Sequence, residues 1–317
     1  MISTSPSETQ VAIISPNAVL DLIYTKFSRS FSSKVFYQNC SICPGGSGIN
    51  VARALYGMGI SSTIYTILGG SSGDLVKQAL IRDGLRAHII RGDGETRIAV
   101  IQYQSGSKTM AVSPTPRFAQ DEMDSLIKAS KRCLDKAQII FFGGSFTKNL
   151  ELQERLVSSL EQYSSRLVID TRGDILEKFL KLSPLCAKID VFDNQTHSAE
   201  GPKDENWILS HFSSVHNQGI SLVCTEGTDQ LYAMFEKRIH SYPQFDDPVS
   251  RPYGRGDAFM AGILFGILHK MELDQVIRLG VLAGKCLGSY DKGLGSLDTD
   301  RFAREKNNLA WLAPRCL

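Results

Sequence analysis

Short runs of consecutive apolar residues alternate with segments of helical composition along nearly the whole chain, and this change of period limits the fold more than any other feature. Val11–Ile14 reads as a strand and Ile49–Met58 as a helix stopped by Gly59. Thr63–Leu68 is a strand, Leu75–Asp83 a helix closed by Gly84, and Gln120–Lys136 a longer helix. Strands at Gln138–Phe142, Leu167–Asp170, Ile189–Phe192 and Ile220–Cys224 are interleaved with helices at Leu150–Tyr163, Ile175–Leu182 and Asn206–Asn217. Asp257–Lys270 and Leu273–Tyr290 read as two closing helices. A strand covered on both faces needs apolar residues at successive positions, and a crossover helix lets the next strand run parallel. The pattern therefore predicts an α/β fold, with a mostly parallel sheet between two helical layers.

Two segments break the rhythm. Ile98–Tyr103 and Lys108–Val112 flank the turn Ser105-Gly-Ser107 and read as a β-hairpin, while Leu22–Ile42 is β-like without helical periodicity. Both are too polar on one face for the central sheet. They are expected to form a small accessory β-sheet over segments of about 22–43 and 95–115, projecting as a lid from one domain that spans residues 1–317. Neither a linker nor a repeat divides the 317 residues, a length that can bury a large core without disulfides or metal.

Charge and cysteine content narrow the class. Lys and Arg total 35 against 33 Asp and Glu, a net charge of +2, which argues against a nucleic-acid partner. The seven cysteines are odd in number and scattered, as in a reducing compartment, and Cys40-x-x-Cys43 lacks the second ligand pair of a zinc site. The first residues have neither the basic nor the apolar region of a signal peptide, and the longest apolar run, Ala258–Leu268, is too short for a membrane span. A cytoplasmic location is expected.

The chemistry concentrates in two glycine-rich elements. Pro44-Gly-Gly-Ser-Gly-Ile-Asn-Val-Ala-Arg53 runs into a helix. Its glycines let backbone approach a ligand, and the helix N-terminus favours oxygen-rich groups. A dinucleotide fingerprint would need Gly or Ala at Val51 and an acid after the next strand, where Gly69-Gly70 stands. Gly254-Arg-Gly-Asp257 opens a helix apolar on every side. Burial of such a helix aims its positive N-terminal end and free N–H groups into the interior, a setting suited to an anion. From local sequence alone, Asp257 reads equally as a helix cap or as a carboxylate base beside an anion hole, the arrangement phosphoryl transfer needs.

Taken together, these elements resemble the PfkB/ribokinase family of carbohydrate kinases, from about Ile13 to Leu297, and within it the hexose-phosphate branch. Ser15-Pro-Asn-Ala-Val-Leu-Asp21 is similar to that branch's N-P-A-x-D opening, and Gly45–Arg53 to its G-G-x-G-I-N-V-A-R signature. Glu95-Thr-Arg97 matches its T-R at the start of a lid strand, Gly144-Ser145 resembles its G-S-L-P-P-G turn, and Asp170-x-Arg172-Gly173 resembles its D-x-S-G segment, with Arg172 at the place of the serine. The resemblance implies a ribokinase-like three-layer fold and transfer of a phosphoryl group from Mg2+-ATP to a hydroxyl of a sugar or sugar phosphate. It assigns Asp21, Gly45, Gly46 and Asn50 to sugar hydroxyls and Arg97, with Lys34 assisting, to a phosphate on the acceptor. Asp257 would be the base, with Gly254, Arg255 and Gly256 around the anion hole. Asn194, Cys224, Glu226 and Gly227 would border the nucleotide, no metal ligand is assigned, and a homodimer through the lid is implied.

The nucleotide half departs from the pattern. Phe192 stands where the family has Lys, His197 where it has Glu, and Glu226 where it has Gly. Two alternatives therefore stay open: a catalytically weakened member that acts by binding a ligand or partner, and a kinase for a free sugar or nucleoside.

Overall fold

The computed structural model describes residues 9–104, 107–190, 220–226, 230–235, 238–243, 253–309 and 315–316. Strand β1 (Val11–Asn17) runs almost directly into β2 (Val19–Phe31), which turns back as β3 (Lys34–Gly45) and enters helix α1 (Ser47–Gly57). Next come β4 (Ser62–Leu68), α2 (Gly70–Arg82), β5 (Ala87–Arg91) and the hairpin of β6 (Arg97–Gln104) and β7 (Ser107–Val112). Then α3 (Gln120–Lys136), β8 (Ile139–Gly143), α4 (Leu150–Leu160), β9 (Leu167–Asp170), α5 (Asp174–Leu180) and β10 (Cys186–Asp190) alternate as expected. The C-terminal part holds β11 (Ser221–Glu226), β12 (Gln230–Phe235), β13 (Arg238–Pro243), α6 (Arg255–Leu268), α7 (Leu273–Lys285), α8 (Thr299–Glu305) and β14 (Arg315–Cys316).

The large sheet has the order β14-β13-β12-β11-β10-β9-β8-β1-β4-β5. From β11 to β5 every neighbouring pair is parallel, and β12, β13 and β14 add an antiparallel edge. Central β1 is buried at all seven positions. Its alternate residues feed two cores, because successive side chains of a strand point to opposite faces. Val11 and Ile13 pack with residues of α1, α6 and α7, whereas Ala12 and Ile14 pack with residues of α3 and α4. That is the expected three-layer arrangement. On the first face α6 and α7 approach closely through two glycines: a Cβ on Gly262 would lie 2.5 Å from the Leu279 carbonyl oxygen, and one on Gly280 2.8 Å from the Phe259 ring.

The lid is a separate four-stranded sheet of order β3-β2-β6-β7. Its burial falls along β2, from buried at Val19–Asp21 to exposed beyond Thr25, as the strand leaves the body. Some boundaries differ from the sequence reading. The helix expected to reach Tyr290 ends at Lys285, with Cys286 as its cap, and Leu297 pairs with Leu287 beyond it. The helix expected to reach Tyr163 ends at Leu160 and tightens into a 3-10 turn, Glu161–Arg166, which places Tyr163 in the core. The strand at Gln138–Phe142 is shifted by one residue to Ile139–Gly143. The helix at Asn206–Asn217 falls outside the described residues.

Candidate active site

The lid leaves the body at the carboxyl ends of the parallel strands, the edge where open α/β sheets bind ligands. A cleft of about 340 Å³ lies there. Asn17 ends β1, Gly46 and Ser47 stand at the start of α1, Gly144 and Ser145 follow β8, Asp170 ends β9 and Arg172 follows it, and Gly254 and Asp257 stand at the start of α6. The cleft touches all of these elements, and the lid contributes Val19, Asp21, Arg97, Ala99, Met110 and Val112 to it.

Asp257 sits in the first turn of α6, a helix buried along most of its length. Ser47 Oγ donates to its Oδ1 at 2.7 Å and Asn50 Nδ2 to its Oδ2 at 2.8 Å. Both donors belong to the other glycine-rich element, more than 200 positions earlier in sequence. Burial raises the carboxyl pKa, and the nearby Asp170 charge adds to this. The two hydrogen bonds and Lys188 oppose it. Both carboxylate oxygens are thus engaged by α1, an arrangement different from a simple cap of the first turn of α6. Gly254 precedes the helix at φ 86°, in the left-handed region, and any Cβ there would collide with the Gly295 backbone nitrogen. The helix therefore begins on bare backbone.

A buried arginine organises this corner. Arg53, 8% exposed, donates from Nη1 to Asn50 Oδ1 at 3.0 Å and to the Leu294 carbonyl, and from Nη2 to the Pro44 carbonyl. Asp83 lies 3.7 Å away as a counter-charge. Because Arg53 occupies the oxygen of the Asn50 amide, the Asn50 NH2 group is turned toward Asp257. One guanidinium thus joins the end of the lid strand β3, the 290s loop and the Asn50–Asp257 bond.

Lys188 is the second organising cation. It lies on β10, is almost fully buried, and pairs with Asp170 at 3.0 and 3.2 Å. Its Nζ would lie 3.1 Å from a Cβ on Gly256. The pair therefore underlies the start of α6 and projects into the cleft.

Asp21 is 3% exposed, and its Oδ2 has no hydrogen-bond partner among the described residues. Burial pushes its pKa up to about 7, with Arg53 opposing and Asp257 adding to the rise. Gly45 lies directly against this carboxyl, and a Cβ there would overlap it. An unsatisfied buried acceptor on a cleft wall is a feature that a ligand hydroxyl can complete.

At the other end of the cleft Arg97 donates from Nε to the Ser113 carbonyl at 3.1 Å and from Nη1 to Ser145 Oγ at 3.0 Å. Asn17 Nδ2 reaches Ser145 Oγ and its carbonyl, each at 3.2 Å. The structure brings Asp21, Gly46, Asn50, Arg97, Gly254 and Asp257 to one cleft, with Gly45 behind Asp21. Arg255 is buried at the start of α6, beside Gly256. Lys34 begins β3 opposite Phe31, at the exposed tip of the lid hairpin and outside the cleft lining. Cys224 and Glu226 lie on β11, where only the backbone is described; Asn194 and Gly227 fall outside the described residues, as do Phe192 and His197.

Ser47, Arg53, Lys188, Asn17 and Ser145 were not among the residues that sequence reasoning gave site roles. Lys188 had a visible signal, a lone lysine in the apolar run Cys186–Ile189, since a cation there needs a buried partner.

A family model described as "pfkB family carbohydrate kinase" matches residues 17–298. The 1-phosphofructokinase of Bacillus subtilis (strain 168) is 23% identical over 265 residues, covering 83% of this chain and 86% of the relative. That of Borreliella burgdorferi is 22% identical over 274 residues, covering 86% and 88%. Among solved structures, phosphofructokinase-2 from Escherichia coli in complex with fructose-6-phosphate superimposes with a TM-score of 0.77 at 19% identity, covering 95% of this chain and 99% of that one. A possible 1-phosphofructokinase from Thermotoga maritima gives a TM-score of 0.76 at 17% identity, covering 97% and 99%. These structural likenesses establish the fold.

Proposed function

Because the chain belongs to the pfkB family of carbohydrate kinases, we propose that its cleft transfers the γ-phosphoryl group of Mg2+-ATP to a hydroxyl of a hexose phosphate, with Asp257 as the general base. The observation that carries this reading is the Asp257 carboxylate. Two donors hold it at the glycine-flanked start of a buried helix, and it faces a cleft whose far end presents Arg97.

The residues fit the groups they would hold. The bare backbone at Gly254 and Gly256 and the nearby Lys188 suit a phosphoryl group, whose charge the N–H groups at the start of α6 stabilise. Among the described residues no three His, Cys, Asp or Glu side chains cluster as a metal site. When bound, Mg2+-ATP supplies the transferable phosphoryl group and screens its charge.

The acceptor lies with hydroxyls on Asp21 and its phosphate on Arg97, a planar donor suited to bidentate phosphate contact. Asp257 takes the proton of the attacking hydroxyl. Its pKa, raised by burial, makes it a stronger base than an ordinary aspartate, while the bonds from Ser47 and Asn50 favour its ionised form. Folding of the lid over the sugar excludes water and fixes the hydroxyl in line.

Asp257→Asn is expected to lower kcat about 10²–10⁴-fold, and retained activity would remove the base from the scheme. Arg97→Ala should raise KM for phosphorylated sugars far more than for free ones; equal effects would favour a free-sugar or nucleoside kinase. The altered nucleotide motifs motivate a second reading, a weakened member that only binds ligand or partner. Calorimetry with a non-hydrolysable ATP analogue and Mg2+ separates the two, since no detectable binding favours the second.

A further inference from the structure

We propose that Arg172 is a specificity-determining residue of this chain, forming with Arg97 a two-guanidinium clamp for the phosphate of the acceptor. The inference rests on the sugar-phosphate reading above and adds a residue to it, at a position where the resemblance leads one to expect a serine.

Three observations carry it. First, a second cavity, of about 890 Å³, adjoins the cleft at its Ser145 end, and the two share Arg97, Ser145 and Arg172 as lining. The two arginines therefore stand at a common neck. Second, one turn holds both. Arg97 Nη1 donates to Ser145 Oγ at 3.0 Å, and the Arg172 loop is fixed to the same turn by Thr171 Oγ1 donating to the Gly144 carbonyl at 2.7 Å. The Gly144 N–H donates to the Asp170 carbonyl at 2.9 Å, closing the link. Third, the surroundings are cationic: Arg117 and Lys148 also line the second cavity, against Asp174 as its one carboxylate. Partial burial, and after it the charge of Arg172, disfavour the protonated form of Arg97, and a shared anion would oppose both effects.

Two guanidinium forks lining one neck suit the oxygens of a phosphate monoester and favour its dianion. A free sugar offers nothing to this end of the cleft. Arg172 would thus set the preference for phosphorylated acceptors, a task distinct from the chemistry at Asp257.

The test compares Arg172→Ala and Arg172→Lys with the unchanged enzyme in two assays. In turnover with Mg2+-ATP, Arg172→Ala should raise KM for a hexose phosphate about 10–100-fold with kcat changed less than about threefold. Arg172→Lys, which keeps charge but loses the fork, should fall between. For the unchanged enzyme kcat/KM should decline below about pH 6, where the phosphate dianion takes up a proton and becomes the monoanion, and this decline should be shallower in Arg172→Ala. Calorimetric titration with inorganic phosphate and with fructose 6-phosphate, without nucleotide, reads the clamp independently of catalysis. There Arg172→Ala should weaken binding at least tenfold. An unchanged KM and unchanged phosphate affinity would overturn the clamp. If no sugar phosphate is turned over yet phosphate binding still depends on Arg172, the kinase reading fails and the anion site stands. Arg172 is exposed, so the variants are expected to fold, and their thermal transitions should coincide with that of the parent.

Discussion

Asp21→Asn should make the ligand-free protein more stable while destroying its function, and the gain should grow with pH. The buried Asp21 carboxyl has a folded pKa of about 7 against an ordinary value of 3.8. An acid raised in this way favours folding less and less as pH rises. The unfolded chain loses the proton above 3.8 and the folded chain only above about 7, so the penalty accumulates between these values and is complete above 7. With about 1.4 kcal/mol per pH unit, the penalty is roughly 2 kcal/mol at pH 5 and roughly 4 kcal/mol at pH 8. Cleft water will hydrate part of the carboxylate, so these figures are upper values. Asn cannot ionise, keeps the shape, and escapes the penalty. The advantage of Asp21→Asn over the parent should therefore increase by up to about 2–3 kcal/mol between pH 5 and pH 8. At about 2 °C per kcal/mol for a chain of this size, that is a divergence of several degrees in Tm. Urea unfolding at the two pH values measures it directly, and taking the difference between the two proteins cancels every other titrating group. An advantage that stays constant or shrinks with rising pH would refute the reasoning, because it would mean that Asp21 already ionises normally in the fold. Such a trade of stability for function is expected where a binding carboxylate is held dry before the ligand arrives.

The remaining predictions concern the groups around Asp257. Arg53→Met leaves three acceptors without their donor and should cost about 2–4 kcal/mol of stability. By freeing the Asn50 amide it should also move the acid limb of kcat/KM to higher pH, since the Asn50 bond is one of the contacts that lower the Asp257 pKa; an unmoved limb would deny Arg53 its positioning role. Lys188→Met strands the buried Asp170 charge, with a loss of about 3–5 kcal/mol, and should shift the same limb in the same direction, as read by chemical denaturation and a pH–rate profile. Gly254→Ala should cost at least about 1–2 kcal/mol from its left-handed backbone and abolish turnover through displacement of the start of α6; a fully active Ala variant would show that this backbone is free to move. The lid exposes Phe31, Val35 and Phe36, so analytical ultracentrifugation should find a dimer that Phe31→Glu dissociates.

Much of this architecture is written in local pattern. The apolar runs of β1, β4, β8 and β9 are legible because a strand covered on both faces has no polar alternation to confuse it. Helix α6 announces its burial by being apolar all round, and the lid strands announce their partial exposure by being polar on one side. Helix ends at Leu160 and Lys285 were less legible, since a 3-10 turn and an irregular cap settle them through tertiary packing. At the site, the glycine-rich elements and Asp257 stood out, but the bonds that define their chemistry did not. Asn50 and Asp257 are 207 residues apart, and Arg53 and Leu294 are 241 apart. No period or spacing encodes such a pairing. In the sequence Arg53 only closes the Gly45–Arg53 signature, Lys188 falls just before the strand expected at Ile189–Phe192, and Arg172 sits in a family-like segment with no role of its own. Each gains its meaning from where the sheet's carboxyl edge gathers the loops.

The central claim is that this cleft phosphorylates a phosphorylated sugar with Asp257 taking the hydroxyl proton. Transfer of label from [γ-³²P]ATP with Mg2+ to fructose 1-phosphate, fructose 6-phosphate and tagatose 6-phosphate, run beside fructose and ribose, tests it most directly. Label should reach at least one hexose phosphate far faster than either free sugar, and Asp257→Asn should reduce that rate about 10²–10⁴-fold. Transfer that prefers the free sugars, or that survives intact in Asp257→Asn, would contradict it.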